Sequence, residues 1–128
     1  MTANEALVRN MVECYSTMDG DGLRPFLHLE AKHTAPGSDF RTDMEGSEKI
    51  LDYFKQEVFP SFHQVQFEIV NLFEDEKRSA VIVEWRSILR PKSARNYTNT
   101  GVFVVEIKNG KIYWVREYFD TEKAHQNV

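Results

Sequence analysis

Asn109-Gly110-Lys111-Ile112-Tyr113-Trp114-Val115-Arg116-Glu117-Tyr118-Phe119-Asp120 is the stretch on which the fold turns. Asn-Gly accepts the positive φ angles that a tight β-hairpin demands, and aromatic and branched residues follow it at strand density. Working back, Tyr97 to Lys108 supplies the partner strand, and Lys111 to Asp120 returns along it. Pro91 to Arg95 reads as a basic, flexible turn out of a long strand, Ser79 to Arg90. The polar tetrad Asp75-Glu76-Lys77-Arg78 joins that strand to another, in which Val65, Phe67, Ile69 and Phe73 alternate with Gln66 and Glu68. A period of two is that of a half-buried strand.

Towards the N-terminus the period lengthens. Thr2 and Glu5 have capping-box spacing, and Leu7, Met11, Cys14, Tyr15 and Met18 recur on one helical face. Asp19-Gly20 stops that helix, and Asp21 caps a shorter one carrying Leu23, Phe26 and Leu27. Pro25 is tolerable there because it lies in the first turn. Leu29 to Ala35 reads as an edge strand ending at Pro36-Gly37, and Ser38 to Gly46 as a small, polar loop. Ser47 caps a third helix with the stripe Ile50, Leu51, Phe54 and Val58, ended by Pro60. Three helices followed by four antiparallel strands make an α+β arrangement. A long twisted sheet in this order curls around the helices and leaves a cone with one open end. One domain over residues 1–128 is expected.

Composition narrows the partners. The chain has 128 residues, 41% of them hydrophobic and 12% aromatic, which is enough bulk to fill a core and line a cavity. A formal charge of −4, without any run of basic residues, leaves no nucleic-acid footprint. The longest apolar runs, such as Ala80 to Val83, fall far short of a membrane span. Met1-Thr2-Ala3-Asn4-Glu5 has neither a cationic start nor an apolar core, so no secretion signal is read and a cytoplasmic protein is expected. Cys14 is the lone cysteine and has no internal disulfide partner.

The run Arg116-Glu117-Tyr118-Phe119-Asp120 resembles the R-(D/E)-Y-F-D ending of the NTF2-like superfamily, in particular its SnoaL-like, limonene-epoxide-hydrolase-like and ketosteroid-isomerase-like members. The helix–helix–strand opening with Pro36-Gly37, then the third helix, is similar as well, so the resemblance covers nearly the whole chain. It implies the cone-shaped NTF2-like (cystatin-like) fold and a pocket for a small hydrophobic molecule. A homodimer through the outer face of the sheet is expected from the residues themselves, because Val81, Val83 and Trp85 oppose Ala80, Ile82 and Ile88 and leave both faces of one strand apolar. Most of the family's enzyme motifs do not transfer. Epoxide-hydrolase-like members carry an Arg-x-Asp pair on the long central strand, where this chain has Trp85 and Ser87. Isomerase-like members carry an acidic base just before the proline after the first strand, where this chain has Ala35. The last-strand acid is kept as Glu117, the place of the acid in SnoaL-like cyclases.

Glu117 is therefore the leading candidate for a general acid or base. Strand alternation places it with Tyr113, Val115 and Phe119, and such neighbours strip hydration from a carboxylate and push its pKa up. Tyr15, on the buried stripe of the first helix, and His33, alternating with Ala31 and Ala35, are its expected catalytic partners. The alternative is a glutamate paired with an Arg on a neighbouring strand, a tyrosine satisfied by a backbone carbonyl and a structural histidine. Trp85 could stack against a ring-shaped ligand or simply fill the core. Asp120 is expected to cap the start of a tail helix.

Two hairpin registers are open. A two-residue Asn109-Gly110 loop pairs Lys108 with Lys111 and places Glu117 with Val102, Val104 and Glu106. A three-residue Lys108-Asn109-Gly110 loop pairs Ile107 with Lys111 and places Glu117 with Asn99, Phe103, Val105 and Ile107. The second sends more apolar side chains inward and is preferred. With Trp85, Ser87 and Val115, it makes Asn99 and Phe103 the expected substrate-binding residues.

Other chemistries find no pattern. His28, His33, His63 and His125 lack ligand spacing, so no metal is expected, and the six glycines form no phosphate cradle. No nucleophile elbow exists, and no cofactor is called for. Two functions remain: a cofactor-independent isomerase, cyclase or hydrolase acting through Glu117, or a non-catalytic ligand-binding or dimerisation module of the same fold.

Overall fold

The computed structural model describes residues 1–36 and 42–126, with the backbone alone for 125 and 126. The expected stop at Gly37 and the first part of the expected loop, 38–41, lie outside the described residues. The elements are α1 (Ala3–Ser16), α2 (Gly20–Leu23), β1 (Leu27–Ala35), β2 (Thr42–Glu45), α3 (Ser47–Tyr53), β3 (Phe62–Asp75), β4 (Ala80–Pro91), β5 (Tyr97–Lys108), β6 (Lys111–Phe119) and α4 (Thr121–Gln126). Among the described residues the strands form one six-stranded curved sheet in the order β2-β1-β6-β5-β4-β3. All its neighbours are antiparallel except β1 and β6, which run parallel, so the expected antiparallel sheet is in fact mixed.

Local chemistry explains where the helices begin. The Thr2 hydroxyl accepts the Glu5 N–H at 3.1 Å and caps α1. Its fully buried face is Val8, Met11, Val12, Cys14 and Tyr15, while Leu7 and Met18 pack only at the margin, so the stripe is rotated from the expected one. Asp19, rather than Asp21, caps α2, its Oδ1 accepting the Gly22 N–H at 2.8 Å. Asp21 reaches Lys55 Nζ instead, at 2.6 Å. Gly46, at φ +99°, is the N-cap of α3, and Ser47 is the first helical residue. A Cβ at Gly46 would meet no atom of the described residues within 4 Å, and the backbone angle is what selects glycine there. After Tyr53 the helix loosens into a π turn at Phe54–Val58 and a 3₁₀ turn at Phe59–Ser61 holding Pro60.

β1 is not an edge strand. β2 lies outside it, pairing Ala35 with Thr42 and His33 with Met44. Residues 42–45 were expected to be loop because they are small and polar; Met44 is buried, and Thr42 lies half-buried on the same face. Pairing with β1, rather than local propensity, makes this segment a strand.

The hairpin combines features of both expected registers. The turn has two residues, with Asn109 at φ 53° and Gly110 at φ 72°, and pairs Lys108 with Lys111, so the preferred three-residue loop is not formed. An extra residue then enters β6: Ile107 faces Ile112, but Glu106 faces Trp114. This bulge shifts the face by one, so Glu117 lies opposite Phe103, and Ile112 and Val115 are both buried. Tyr113 is expelled from the Glu117 face and stands edge-on to His28, ring centroids 5.3 Å apart.

On β4 the alternation is clean. Val81, Val83, Trp85 and Ser87 turn inward, and Ile82 and Ile88 turn out. The inner face packs on α1 through Tyr15, Phe67, Trp85 and Phe103, whose rings meet at 4.9–6.0 Å.

Candidate functional site

The concave face of the sheet and the α3 segment enclose a cavity of about 400 Å³. His33 and Glu117 meet on its wall. Parallel pairing sets His33 beside Val115, and Glu117 is two residues further along β6 on the same face. The result is a contact of 3.3 Å between His33 Nε2 and Glu117 Oε1. The His33 side chain is 3% exposed and that of Glu117 is 23% exposed, so the carboxylate reaches the open space from a buried anchor. Phe54 stands edge-on to the imidazole with centroids 5.4 Å apart and keeps its ring oriented. An imidazole whose Nε2–H is held by the carboxylate carries its free lone pair on Nδ1.

Tyr15 also lines the cavity, its ring packed on Phe54, Phe67 and Phe103. Burial pushes its hydroxyl pKa far above the ordinary tyrosine value, and the nearby Glu117 charge pushes it further. Tyr53 is raised by the same two causes in the same order. A negative charge beside a phenol disfavours phenolate, so both hydroxyls remain proton-bearing donors around the carboxylate.

The opposite wall comes from β4 and β5. Trp85, Ser87, Asn99 and Phe103 all line the cavity. Asn99 is held by main chain: its Nδ2 donates to the Asp120 carbonyl at 3.2 Å, and its Oδ1 accepts the Thr100 N–H at 2.8 Å. That amide ties β5 to the end of β6, where Asp120 Oδ1 caps α4 by accepting the Lys123 N–H at 3.0 Å. Trp85 Nε1 and Ser87 Oγ are buried without a hydrogen-bond partner among the described residues, as is Thr42 Oγ1. Leaving such a group unpaired costs about 1–3 kcal/mol.

One expected substrate-binding residue falls elsewhere. Val115 is core, 2% exposed, and does not line the cavity, because the β6 bulge puts it against Val105. Thr42, Tyr53 and Tyr97 are among the lining residues that had not been expected. Tyr53 lies next to the buried Phe54 of the third helical stripe, and continuing that helix through its loosened turn would have been the signal for it. Thr42 had none, since its place depends on pairing with Ala35. Cys14 is buried and unpaired, and burial, with Asp19 and Glu13 nearby, pushes its thiol pKa up. Among the described residues no group of three or more His, Cys, Asp or Glu gathers as metal ligands. No helix among them is long and apolar enough to cross a membrane.

The family model of the SnoaL-like domain matches residues 8–115. The chain belongs to the SnoaL-like family. This domain superposes on an NTF2-like protein of unknown function from Burkholderia pseudomallei with a TM-score of 0.86 at 18% identity, covering 98% of this chain and 97% of that one. A putative polyketide cyclase from Xanthomonas campestris gives 0.81 at 15% identity, with 95% and 93% covered. An LEH-like epoxide hydrolase from M. tuberculosis gives 0.74 at 17% identity, with 97% and 87% covered. At these identities the likeness establishes the NTF2-like fold alone. No curated protein matches this sequence.

Proposed function

We propose that the SnoaL-like cavity binds a small, largely apolar molecule and that Glu117 moves a proton on it, as a cofactor-independent isomerase, cyclase or hydrolase. The observation that carries this reading is the 3.3 Å His33–Glu117 contact on the wall of an aromatic cavity. In the isomerase form, a C–H bond next to a substrate carbonyl breaks and its proton passes to the Glu117 carboxylate. The electron pair moves onto the carbonyl oxygen, which takes a hydrogen bond from Tyr15. Glu117 then returns the proton to a different carbon, and the carbonyl re-forms. His33 holds Glu117 through Nε2–H to Oε1 and keeps that hydrogen bond while the substrate proton rests on Oε2. No redox partner enters this balance. The solved relatives described as a cyclase and an epoxide hydrolase support small-molecule chemistry in this fold, each for its own chain.

The test is turnover of a panel of cyclic ketones and epoxides by the protein and its Glu117→Gln variant. Glutamine keeps the shape and still accepts from His33, so loss of kcat by about 10²–10⁴-fold is expected. Turnover that survives the change overturns the role of Glu117.

A second reading, a non-catalytic ligand-binding or dimerisation module, draws on one observation. The outer face of the sheet exposes Val70, Phe73, Ile82, Ile88 and Tyr118. Solvated sheet faces carry polar residues at such positions. We therefore propose a homodimer through this face under either reading. A cytoplasmic location is proposed with it, on the single unpaired thiol of Cys14.

A further inference from the structure

The two unpaired polar atoms on β4 say more about the ligand than its size. Trp85 is 3% exposed and Ser87 1%, and strand alternation puts both on the cavity wall. The indole is held where it stands. Its partner on β5 is Gly101, and a Cβ there would lie 2.3 Å from Cζ2 and 2.8 Å from Cε2 of Trp85. The ring therefore lies directly over a strand that has no side chain at that point. Phe67 abuts it edge-on at 4.9 Å, and Phe103 lies tilted against it at 5.3 Å. Packed in this way, Nε1–H meets no acceptor among the described residues. Ser87 lies opposite Asn99, whose amide is already engaged by the main chain at Asp120 and Thr100.

An indole N–H can only donate, and a serine hydroxyl can donate as well. We propose that this pair forms an oxygen-recognition subsite: the ligand carries a carbonyl-type oxygen that accepts from Trp85 Nε1–H and the Ser87 hydroxyl. The proposal rests on the ligand-binding part of the reading above and specifies its substrate class. The subsite is separate from the proton-transfer pair. Glu117 and Phe103 share one row across the sheet, and Trp85 and Gly101 the next inward-facing one, two strands from β6. Strand spacing then puts the Cα atoms of Trp85 and Glu117 roughly 12 Å apart. The oxygen recognised here is distinct from the carbonyl that Tyr15 serves beside Glu117. Trp85 and Ser87 thus set specificity and are not catalytic residues.

The chain has two tryptophans, which makes the test direct. Trp114 Nε1 already donates to Thr34 Oγ1 at 3.1 Å and serves as an internal reference. The ¹⁵N-labelled protein is titrated with 1-tetralone and with tetralin, which differ by the carbonyl. Tetralone is expected to move the Trp85 indole resonance downfield, with Trp114 unmoved, and tetralin to leave the Trp85 proton without that shift. Ser87→Ala and Trp85→Phe are each expected to weaken tetralone about tenfold and leave tetralin within a factor of two. Serine to alanine is the milder change, and it keeps the test valid should the tryptophan variant fold poorly. Equal indole shifts with both ligands, parallel losses for both in Ser87→Ala, or no binding of tetralone at millimolar concentration would each overturn the subsite. Proton transfer by Glu117 is read from turnover, and the subsite from the indole shift and the tetralone affinity, so the two can fail separately.

Discussion

Removing one oxygen from Tyr15 tests how the carboxylate and the phenol share their corner of the cavity. Burial and the Glu117 charge hold the Tyr15 proton well above the ordinary value of 10.0. Below that value the phenol is neutral in both folded and unfolded chains, and its contribution to stability is fully present. Above it the unfolded chain ionises while the folded chain keeps the proton, so stability falls with rising pH by about 1.4 kcal/mol per pH unit for this group. Tyr15→Phe lacks that component. Thermal melts between pH 9 and pH 11 are expected to decline less steeply for the variant, with the residual slope assigned to Tyr53, Tyr97 and Cys14, whose protons are also held by burial. Parallel slopes would remove the assigned environment of Tyr15. Gly101 gives a second residue-scale prediction. A methyl group there would meet Trp85 and also the Tyr118 carbonyl at 2.4 Å, and a strand backbone cannot step aside as a flexible side chain can. Gly101→Ala is expected to lose about 1–3 kcal/mol in urea unfolding and to change the near-UV signal of Trp85.

At the scale of elements, the β5–β6 hairpin decides which residues face the cavity. Its turn needs positive φ at both Asn109 and Gly110. Gly110→Ala is expected to cost about 1–2 kcal/mol by equilibrium unfolding, since an L side chain is strained in that region. A loss within 0.3 kcal/mol would mean that the turn relaxes to another type. The hairpin also shows how far sequence reading reaches. Asn109-Gly110 announces the turn because that signal is local, whereas Val81, Val83 and Trp85 against Ala80, Ile82 and Ile88 read as two apolar faces, and packing decides that the first is the buried one. The extra residue at Tyr113 is not local: Ile112 and Val115 both bury, and only the packing beneath the sheet makes room for them. The face of Glu117 was therefore read correctly through the wrong loop, and Tyr113 and Val115 were misassigned for the same reason. β2 was unreadable for a related cause, since Thr42-Asp43-Met44-Glu45 becomes a strand only by pairing with β1. The meeting of His33 and Glu117 depends on a parallel pairing between the first and last long strands, which no periodicity encodes.

For the molecule as a whole, the outer face of the sheet sets the last prediction. Phe73 is 58% exposed, Val70 52%, Tyr118 46%, Ile88 42% and Ile82 36%. They are spread over β3, β4 and β6 of one continuous sheet, and hydrophobic exposure of this extent marks an interaction surface in a folded domain. Salt bridges on the same face, Arg86 with Glu68 and Arg116 with Glu106, satisfy its charges internally and leave the apolar residues as its adhesive part. A face lined in this way pairs most simply with a copy of itself about a twofold axis. Sedimentation at micromolar concentration is expected to show twice the 15.0 kDa of one chain. Ile88→Lys with Ile82→Lys is expected to return the monomer with its fold intact, because both side chains point away from the core. The cavity lies on the other side of the sheet, so tetralone binding per chain should be unchanged in that monomer. A parent protein that sediments as a single chain would remove the dimer and leave the exposed face without an assigned partner.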